Sequence, residues 1–433
     1  MKGRRIVLTG MLLLAVLTAN AQTIVSGVVT DRQTGKPLPH VSVTASDSQE
    51  HTVTNDDGHF TLKTQQSPTY VQLSHIGYKT RRQQLDEGST EHLRIALTSN
   101  TVELQEVLVS ANDPMLILKA AIGRMAYNYP HEGELTRCFY RETARRGSRF
   151  ISIAEAVTEM YKSDYAYGPE HDAVAILKGR RLMSMKAKDT LGVKIQGGPV
   201  IPLMVDVAKN PEYLLNEENL PFYTLHLEVP VKIDNRLQYV VRMELRGAVL
   251  LPLMEGRLFI DQETLAFTRA ELALDMRDWR MASSYMLVHK PLGLRFRPKE
   301  LTMTIVYETD AKGITRMSFL RNVMRFNCDW KRRLFASTFT TVSEMVVTDR
   351  LKRGKEAKRP SGRSSFGIRE RFYDKVAYFD DPNFWEGYNI IEPTESLEHA
   401  IDKLKKNLKT ELHNEKTNLL TNQWDGCQRS DGT

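Results

Sequence analysis

Between Arg137 and Val347 apolar and polar positions alternate with a period of two. In the stretch from Tyr239 to Gly247, Val241, Met243 and Leu245 fall on one side of an extended chain and Arg242, Glu244 and Arg246 on the other. From Leu301 to Glu308 the same rule sets Leu301, Met303, Ile305 and Tyr307 against Thr302, Thr304 and Val306. One apolar face and one polar face predict antiparallel strands with a wet side. Residues Gly256 to Leu274 predict a hairpin turning on Asp261-Gln262-Glu263-Thr264, and Gly293 to Glu308 a further strand.

The first hundred residues carry shorter runs. From Thr23 to about Thr98, six or seven brief β-rich segments are separated by turn signals, with no helical period, and predict a small β-sandwich. One of those signals, Thr54-Asn55-Asp56-Asp57-Gly58-His59-Phe60, looks at first like a calcium loop. With Gly58 in the sixth place of an EF-hand loop, the first place falls on Val53 and the twelfth on Thr64. Neither supplies the carboxylate those places need, so the stretch is a hairpin turn.

Several fixed spacings in this region carry a resemblance. Gly27-x-Val29-x-Asp31, Thr34-Gly35-Lys36-Pro37-Leu38, Val41-x-Val43, Thr54-x-x-x-Gly58-x-Phe60 and Ser74-x-Ile76-Gly77-Tyr78-Lys79 resemble the carboxypeptidase regulatory-like domain. That family implies a transthyretin-like sandwich serving as a binding or spacer module. Further on, the Gly256–Thr264 hairpin and the Gly293-to-Leu301 strand with its Pro298-Lys299 are similar to the lipoprotein-carrier-like superfamily. That resemblance implies a curved, unclosed antiparallel sheet wrapped over helices that shelters acyl chains. The fold class expected is therefore mainly β: a transthyretin-like sandwich joined to a larger half-barrel with a few helices. A long preceding domain and a basic insertion depart from the simple carriers.

Helix signals are few. Asp113-Pro114 opens one, with Leu118, Ile122, Met125 and Tyr129 on a single stripe. Thr394 caps another that carries Leu397, Ile401, Leu404 and Leu408. The expected order is a signal peptide at 1–22, the regulatory-like sandwich at 23–99 and an extended connector at 100–112. The helix-plus-sheet domain follows at 113–348, a basic loop at 349–375, an aromatic segment with a C-terminal helix at 376–410, and a polar tail at 411–433. In the regulatory-like family's architectures, connectors similar to "LQEVLVSA" lead into TonB-dependent transporter plugs or other envelope domains.

Composition places the chain. Lys2, Arg4 and Arg5, an apolar run from Met11 to Leu17, and Ala19-Asn20-Ala21 make a bacterial secretory signal, and no other run is long enough to span a bilayer. No cysteine follows the cleavage point, so a lipid-modified N-terminus is not expected. The formal charge is +7, of which those three cations contribute three, leaving +4. Modest charge and export argue against nucleic acid. Cys138, Cys328 and Cys427 are too scattered for a disulfide framework.

Candidate chemistry is sparse. His131-x-x-Glu134 has the spacing of a zinc pair, with His226, His289 and His399 as conceivable thirds. It follows a helix-ending proline, in a chain with no alternating strand-helix pattern, and is taken as a chance spacing. Nucleophile-elbow and phosphate-loop motifs are absent from the sequence. No catalytic residue, metal or cofactor is assigned, and the chain is not expected to be an enzyme. The expectation is an exported, non-enzymatic cell-envelope protein of the periplasm or outer membrane. Its partners would be another envelope protein or a lipid or acyl ligand, with peripheral membrane contact open to it. An apolar groove would be lined by Val241, Met243, Leu245, Leu301, Met303 and Ile305. A surface-contact loop would use Arg350, Lys352, Arg353, Lys355, Lys358 and Arg359, within a stretch holding ten cations against four acids from Asp349 to Lys375. Phe384, Trp385 and Tyr388 either grip a ligand or pack on the sheet. Two alternatives stand behind this: a small outer-membrane barrel or TonB-linked transport component, and, less favoured, a zinc carboxypeptidase-like enzyme.

Overall fold

A computed structural model describes residues 22–46, 50–86, 89–100, 113–186, 193–210, 214–247, 251–330, 337–378, 385 and 387–428. All but the last residue of the expected signal peptide, nearly all of the connector and Phe384 lie outside them. The N-terminal part has seven strands: β1 (Thr23–Asp31), β2 (Ser42–Ala45), β3 (His51–Val53), β4 (His59–Thr64), β5 (Tyr70–Ser74), β6 (Arg81–Gln84) and β7 (Leu93–Leu97). They form two sheets, β4-β1-β7 and β3-β2-β5-β6. Alternate residues of both, including Val25, Val29, Leu62 and Ile95 from one and Val43, Val71 and Leu73 from the other, close a single core. The expected hairpin turn is there. Asn55 Oδ1 accepts from the Asp57 and His59 amides at 3.0 and 2.9 Å, and Gly58 takes φ +78°. A Cβ on Gly58 would sit 2.5 Å from the Val29 carbonyl, so only glycine fits.

The second part is built on one open sheet. Its strands are β8 (Glu134–Arg146), β9 (Arg149–Lys162), β10 (Ala173–Met183), β12 (Tyr223–Ile233), β13 (Arg236–Leu245), β14 (Met254–Asp261), β15 (Phe267–Leu274), β17 (Leu294–Thr309), β18 (Thr315–Trp330), β19 (Ser337–Arg353) and β20 (Ala377–Tyr378). The order β12-β13-β14-β15-β17-β18-β19-β8-β9-β10-β20 is antiparallel until the last, two-residue strand, which runs parallel to β10. β11 (Lys194–Ile195) and β16 (Leu287–His289) pair separately. Among the described strands no ring closes, so the small-barrel alternative loses the closure that a membrane barrel requires.

Alternation decides what each face meets. Toward one face point Met243, Leu258, Ile305, Leu320, Met345 and their neighbours. They pack against α1 (Pro114–Gly123), α2 (Met125–Asn128), α3 (Ile201–Met204) and the chain through Leu214 and Leu215. α1 starts as expected, with Asp113 accepting from the Met115 amide at 2.8 Å and Pro114 in its first turn. The next residue along a strand points the other way. Phe139, Val157, Phe319 and Val346 meet Val53 of the sandwich together with Trp385, Ile390 and Ile391. Beside them Ile153 and Leu182 receive Leu397, Ile401 and Leu404 of the C-terminal helix α6 (Glu395–Gln428), which follows α4 (Trp279–Met286) and α5 (Phe372–Lys375). α6 runs unbroken through most of the tail expected to fray.

The Asp261 turn occurs with a twin. Asp261 Oδ1 accepts from the amides of Glu263 and Thr264 and from the Thr264 hydroxyl at 2.9–3.0 Å. Asp31 Oδ1 takes the amides of Gln33 and Thr34 and the Thr34 hydroxyl in the same way. The next residue in each loop is left-handed, Gly35 at φ +69° and Leu265 at +62°.

Candidate functional site

Where the sandwich lies against the turn end of the large sheet, a cleft of about 750 Å³ opens. Its first wall follows from strand alternation. Val43, Ala45, Val71 and Leu73 turn into the sandwich core, so Ser42, Thr44, Tyr70, Gln72 and Ser74 turn outward into the cleft. The second wall is the start of β8, the β17–β18 turn and the end of β19, carrying Glu134, Glu308, Asp310, Lys312, Arg316 and Arg350 among others.

Most of these charges are committed to one another. Arg316 holds Glu134 through three contacts of 2.7–2.9 Å and Asp310 at 2.7 Å. Glu134 is therefore engaged by a guanidinium, which explains its burial without a metal and deprives the His131–Glu134 spacing of its carboxylate. Arg350 differs. Its Nη1 is buried and has no hydrogen-bond partner among the described residues. A guanidinium nitrogen in that condition favours an acceptor brought by a ligand.

Ser42, His51 and Glu308 meet here, a set of side chains with the makings of nucleophilic catalysis. The geometry is different from a relay. Ser42 Oγ donates to Glu308 Oε1 at 2.6 Å, and the same His51 Nε2 faces both Ser42 Oγ at 3.0 Å and Glu308 at 3.1 Å. His51 Nδ1 lies 3.0 Å from the Val347 carbonyl. The carboxylate thus competes with the serine for one ring nitrogen instead of orienting the other. Both ring nitrogens thus lie within bonding distance of an oxygen. Burial alone would raise the Glu308 carboxyl, but the His51 charge, the bonds from His51 and Ser42, and the Arg350 charge outweigh it and bring the pKa to about 2. The trio is an ion-pair pin between sandwich and sheet.

Other contacts fix the same junction. Arg321 reaches Asp56 at 3.1 Å and His40 at 2.9 Å and also pairs with Glu344. Thr52 Oγ1 donates to the Ile390 carbonyl at 3.0 Å and Asn55 Nδ2 to that of Pro393 at 3.0 Å. Trp385 stacks edge-on against Phe139 at 5.4 Å, with the Arg180 guanidinium 4.4 Å from its ring. The described part of the aromatic segment, from Trp385 to Ile391, is thus a strap packed between sandwich and sheet.

The six residues expected to line an apolar groove are core. Val241, Met243, Leu245, Leu301, Met303 and Ile305 are all buried in the cluster that α1, residues 201–208 and Leu214–Leu215 complete. An acyl chain would reach them only if those segments left the face. The basic stretch divides. β19 continues to Arg353, so its first five residues are strand, and Arg350, Lys352 and Arg353 line the cleft. Lys355 and Lys358 are exposed beyond it, and Arg359 donates to the Glu170 and Asp172 carbonyls at 3.3 and 3.2 Å.

Behind Arg350 a void of about 20 Å³, room for one water, borders Lys162 and Tyr165. These two and Tyr307 surround the fully buried Asp206, the tyrosine hydroxyls donating at 2.9 and 2.8 Å. Next to them Lys209, with no exposed surface, donates to the Ser163 and Asp164 carbonyls and lies 3.0 Å from Asp172. Burial lowers the Lys209 ammonium and raises the Asp172 carboxyl. These bonds tie the 206–209 chain to β9, a structural duty. Cys138 and Cys328 are free buried thiols, pushed by burial to about 12 and about 11.

Residues 25–109 match the CarboxypepD_reg-like domain. The regulatory-like domain thus accounts for the first part of the chain, as its motifs imply. No curated protein matches the chain. Among solved structures it is similar to a DUF1329 family protein from Desulfovibrio piger, at 12% identity and a TM-score of 0.23, covering 54% of this chain and 92% of that one. It is also similar to a LolA superfamily protein from Nitrosomonas europaea, at 14% identity and a TM-score of 0.19, covering 55% and 95%. At such scores nothing about ligand or partner follows from either likeness. Among the described residues no helix is long and apolar enough to cross a membrane.

Sequence reasoning named Arg350, Lys352, Arg353 and Glu134 but missed Ser42, His51, Glu308 and Arg316. The outward positions of β2 and β5 were legible as the polar half of an alternating pattern. Nothing local signalled that a wall 266 residues away would face them.

Proposed function

We propose that this is an exported, non-enzymatic binding protein of the cell envelope. Its ligand seat is the cleft between the regulatory-like domain and the open sheet, and its ligand is an extended polypeptide segment carrying an acidic side chain. The observation that carries the reading is the cleft itself: about 750 Å³, walled by outward hydroxyl and amide side chains, with the unpartnered Arg350 Nη1 beside it. Hydroxyls and amides suit a polar chain with its own donors and acceptors, and a guanidinium nitrogen with no hydrogen-bond partner among the described residues suits a carboxylate. Export rests on the charged, apolar and Ala-x-Ala order of the first 22 residues. The filled apolar face supports a polar ligand over an acyl chain.

The test is photo-crosslinking in intact cells from an unnatural side chain placed at Thr44 or Gln72, with exposed Lys36 as the control position. A discrete protein adduct at the two cleft positions, absent at Lys36 and reduced by Arg350→Ala, is the expected result. Adducts equally abundant at Lys36, or no protein adduct from the cleft, would sink the reading.

A further inference from the structure

The end of the large sheet remote from the cleft has a character of its own. Pairing of Tyr223 with Leu245, Met254 with Leu274 and Leu294 with Trp330 gathers the adjoining connections at this end. β17 alone spans about 50 Å between the two ends at the usual strand rise. The segment from Asp275 to Leu294 caps it. On its inner side Ala282 and Met286 are buried and Met276, Tyr285 and Leu287 pack on the core. Its outer side is apolar in the wrong direction. The turn closed by Leu294 N donating to the Pro291 carbonyl holds Leu292 at its apex, 97% exposed. Trp279, in the first turn of α4, is 51% exposed, with the Arg280 guanidinium 5.6 Å from its ring. Val288, Leu251 and Phe222 are also exposed.

Charge accompanies this apolar surface. From 275 to 297 stand Arg277, Arg280, Lys290, Arg295 and Arg297 against Asp275 and Asp278. Both acids are occupied, Asp275 by Arg277 at 2.9 Å and Asp278 by the Arg280 and Met281 amides that it caps. Arg295 and Arg297 project exposed from β17, with Asp329 opposite Arg295 in the register.

An aliphatic apex, a half-exposed tryptophan and a surplus of cations on one rim match the layers of an anionic bilayer surface. Hydrocarbon would take the leucine, the interface the indole, and phosphates the guanidinium groups. We propose that this rim docks the protein on an anionic lipid bilayer, with Leu292 inserted and Trp279 at headgroup depth. The contact lies at the opposite end of the sheet from the cleft and is independent of what the cleft binds.

The experiment uses the purified full chain with vesicles of phosphatidylcholine alone and vesicles containing about one third phosphatidylglycerol. Co-sedimentation and tryptophan emission are followed together. Binding confined to the anionic vesicles, with a blue shift abolished by Trp279→Phe, is expected. Leu292→Ser should weaken binding about tenfold or more, the loss set by one buried leucine. The pair Lys290→Glu and Arg297→Glu should weaken it as well, as should raised salt. Because Leu292 touches so little, its variant folds, which unchanged circular dichroism would verify. No sedimentation with anionic vesicles, equal binding to both vesicle types, or full binding by Leu292→Ser would each overturn the proposal.

Discussion

Replacing Glu308 by Gln tests the pin between the two parts of the molecule. The substitution keeps the shape and an acceptor for Ser42 but removes the charge that faces His51. In the fold the Glu308 carboxyl lies at about 2, against 4.5 ordinarily. At about 1.4 kcal/mol per pKa unit that shift is worth roughly 3 kcal/mol, and partial exposure at the cleft mouth trims the expectation to about 2–3 kcal/mol. The sign follows from the direction. A depressed carboxyl contributes stability that is complete above its unfolded value and is lost as pH falls through its folded one. Urea unfolding of the native protein and Glu308→Gln should therefore differ by about 2–3 kcal/mol at pH 5.5, where an ordinary imidazole is charged. By pH 2 the gap should have shrunk to under about 1 kcal/mol. Ser42→Ala, which leaves the ion pair in place, should cost only about 1 kcal/mol at either pH. A gap that stays constant from pH 5.5 to 2, or is absent at pH 5.5, would refute the assignment of that stability to the His51–Glu308 pair.

Other expectations are simpler. Gly58→Ala should destabilise the protein by about 2 kcal/mol or more, since its Cβ would press on the Val29 carbonyl from a left-handed backbone; calorimetry of the variant checks this. Asp261→Ala removes an acceptor of three turn hydrogen bonds and a 2.7 Å bond from Arg236, and should cost about 2–3 kcal/mol in urea unfolding. Cys138 and Cys328 should resist maleimide in the native protein and react fully in denaturant, as peptide mapping would show. Labelling of either at native conditions would contradict their burial.

What the sequence determined by itself is local. Period-two alternation named the strands and told which residues of β13 and β17 share a face, because side-chain direction in an extended chain depends only on position parity. Asp113-Pro114 announced a helix start, and Asp57-Gly58 and Asp261–Thr264 announced turns, because those side chains bond their own backbone within a few residues. Tertiary structure decided what each face meets. Ile305 and Val306 are neighbours in the chain, yet one enters the core under α1 and the other packs toward the strap and the sandwich. The expected groove filled because residues 201–208 and 214–215, with no strong period of their own, fold back onto it. Charged residues proved least legible. Glu134 meets Arg316, Ser42 meets Glu308, and Arg350 Nη1 is left without a hydrogen-bond partner among the described residues, all through strand order and register over separations of 182 and 266 residues for the two pairs. Pairing at such range depends on which strands become neighbours, and a local pattern carries no record of that.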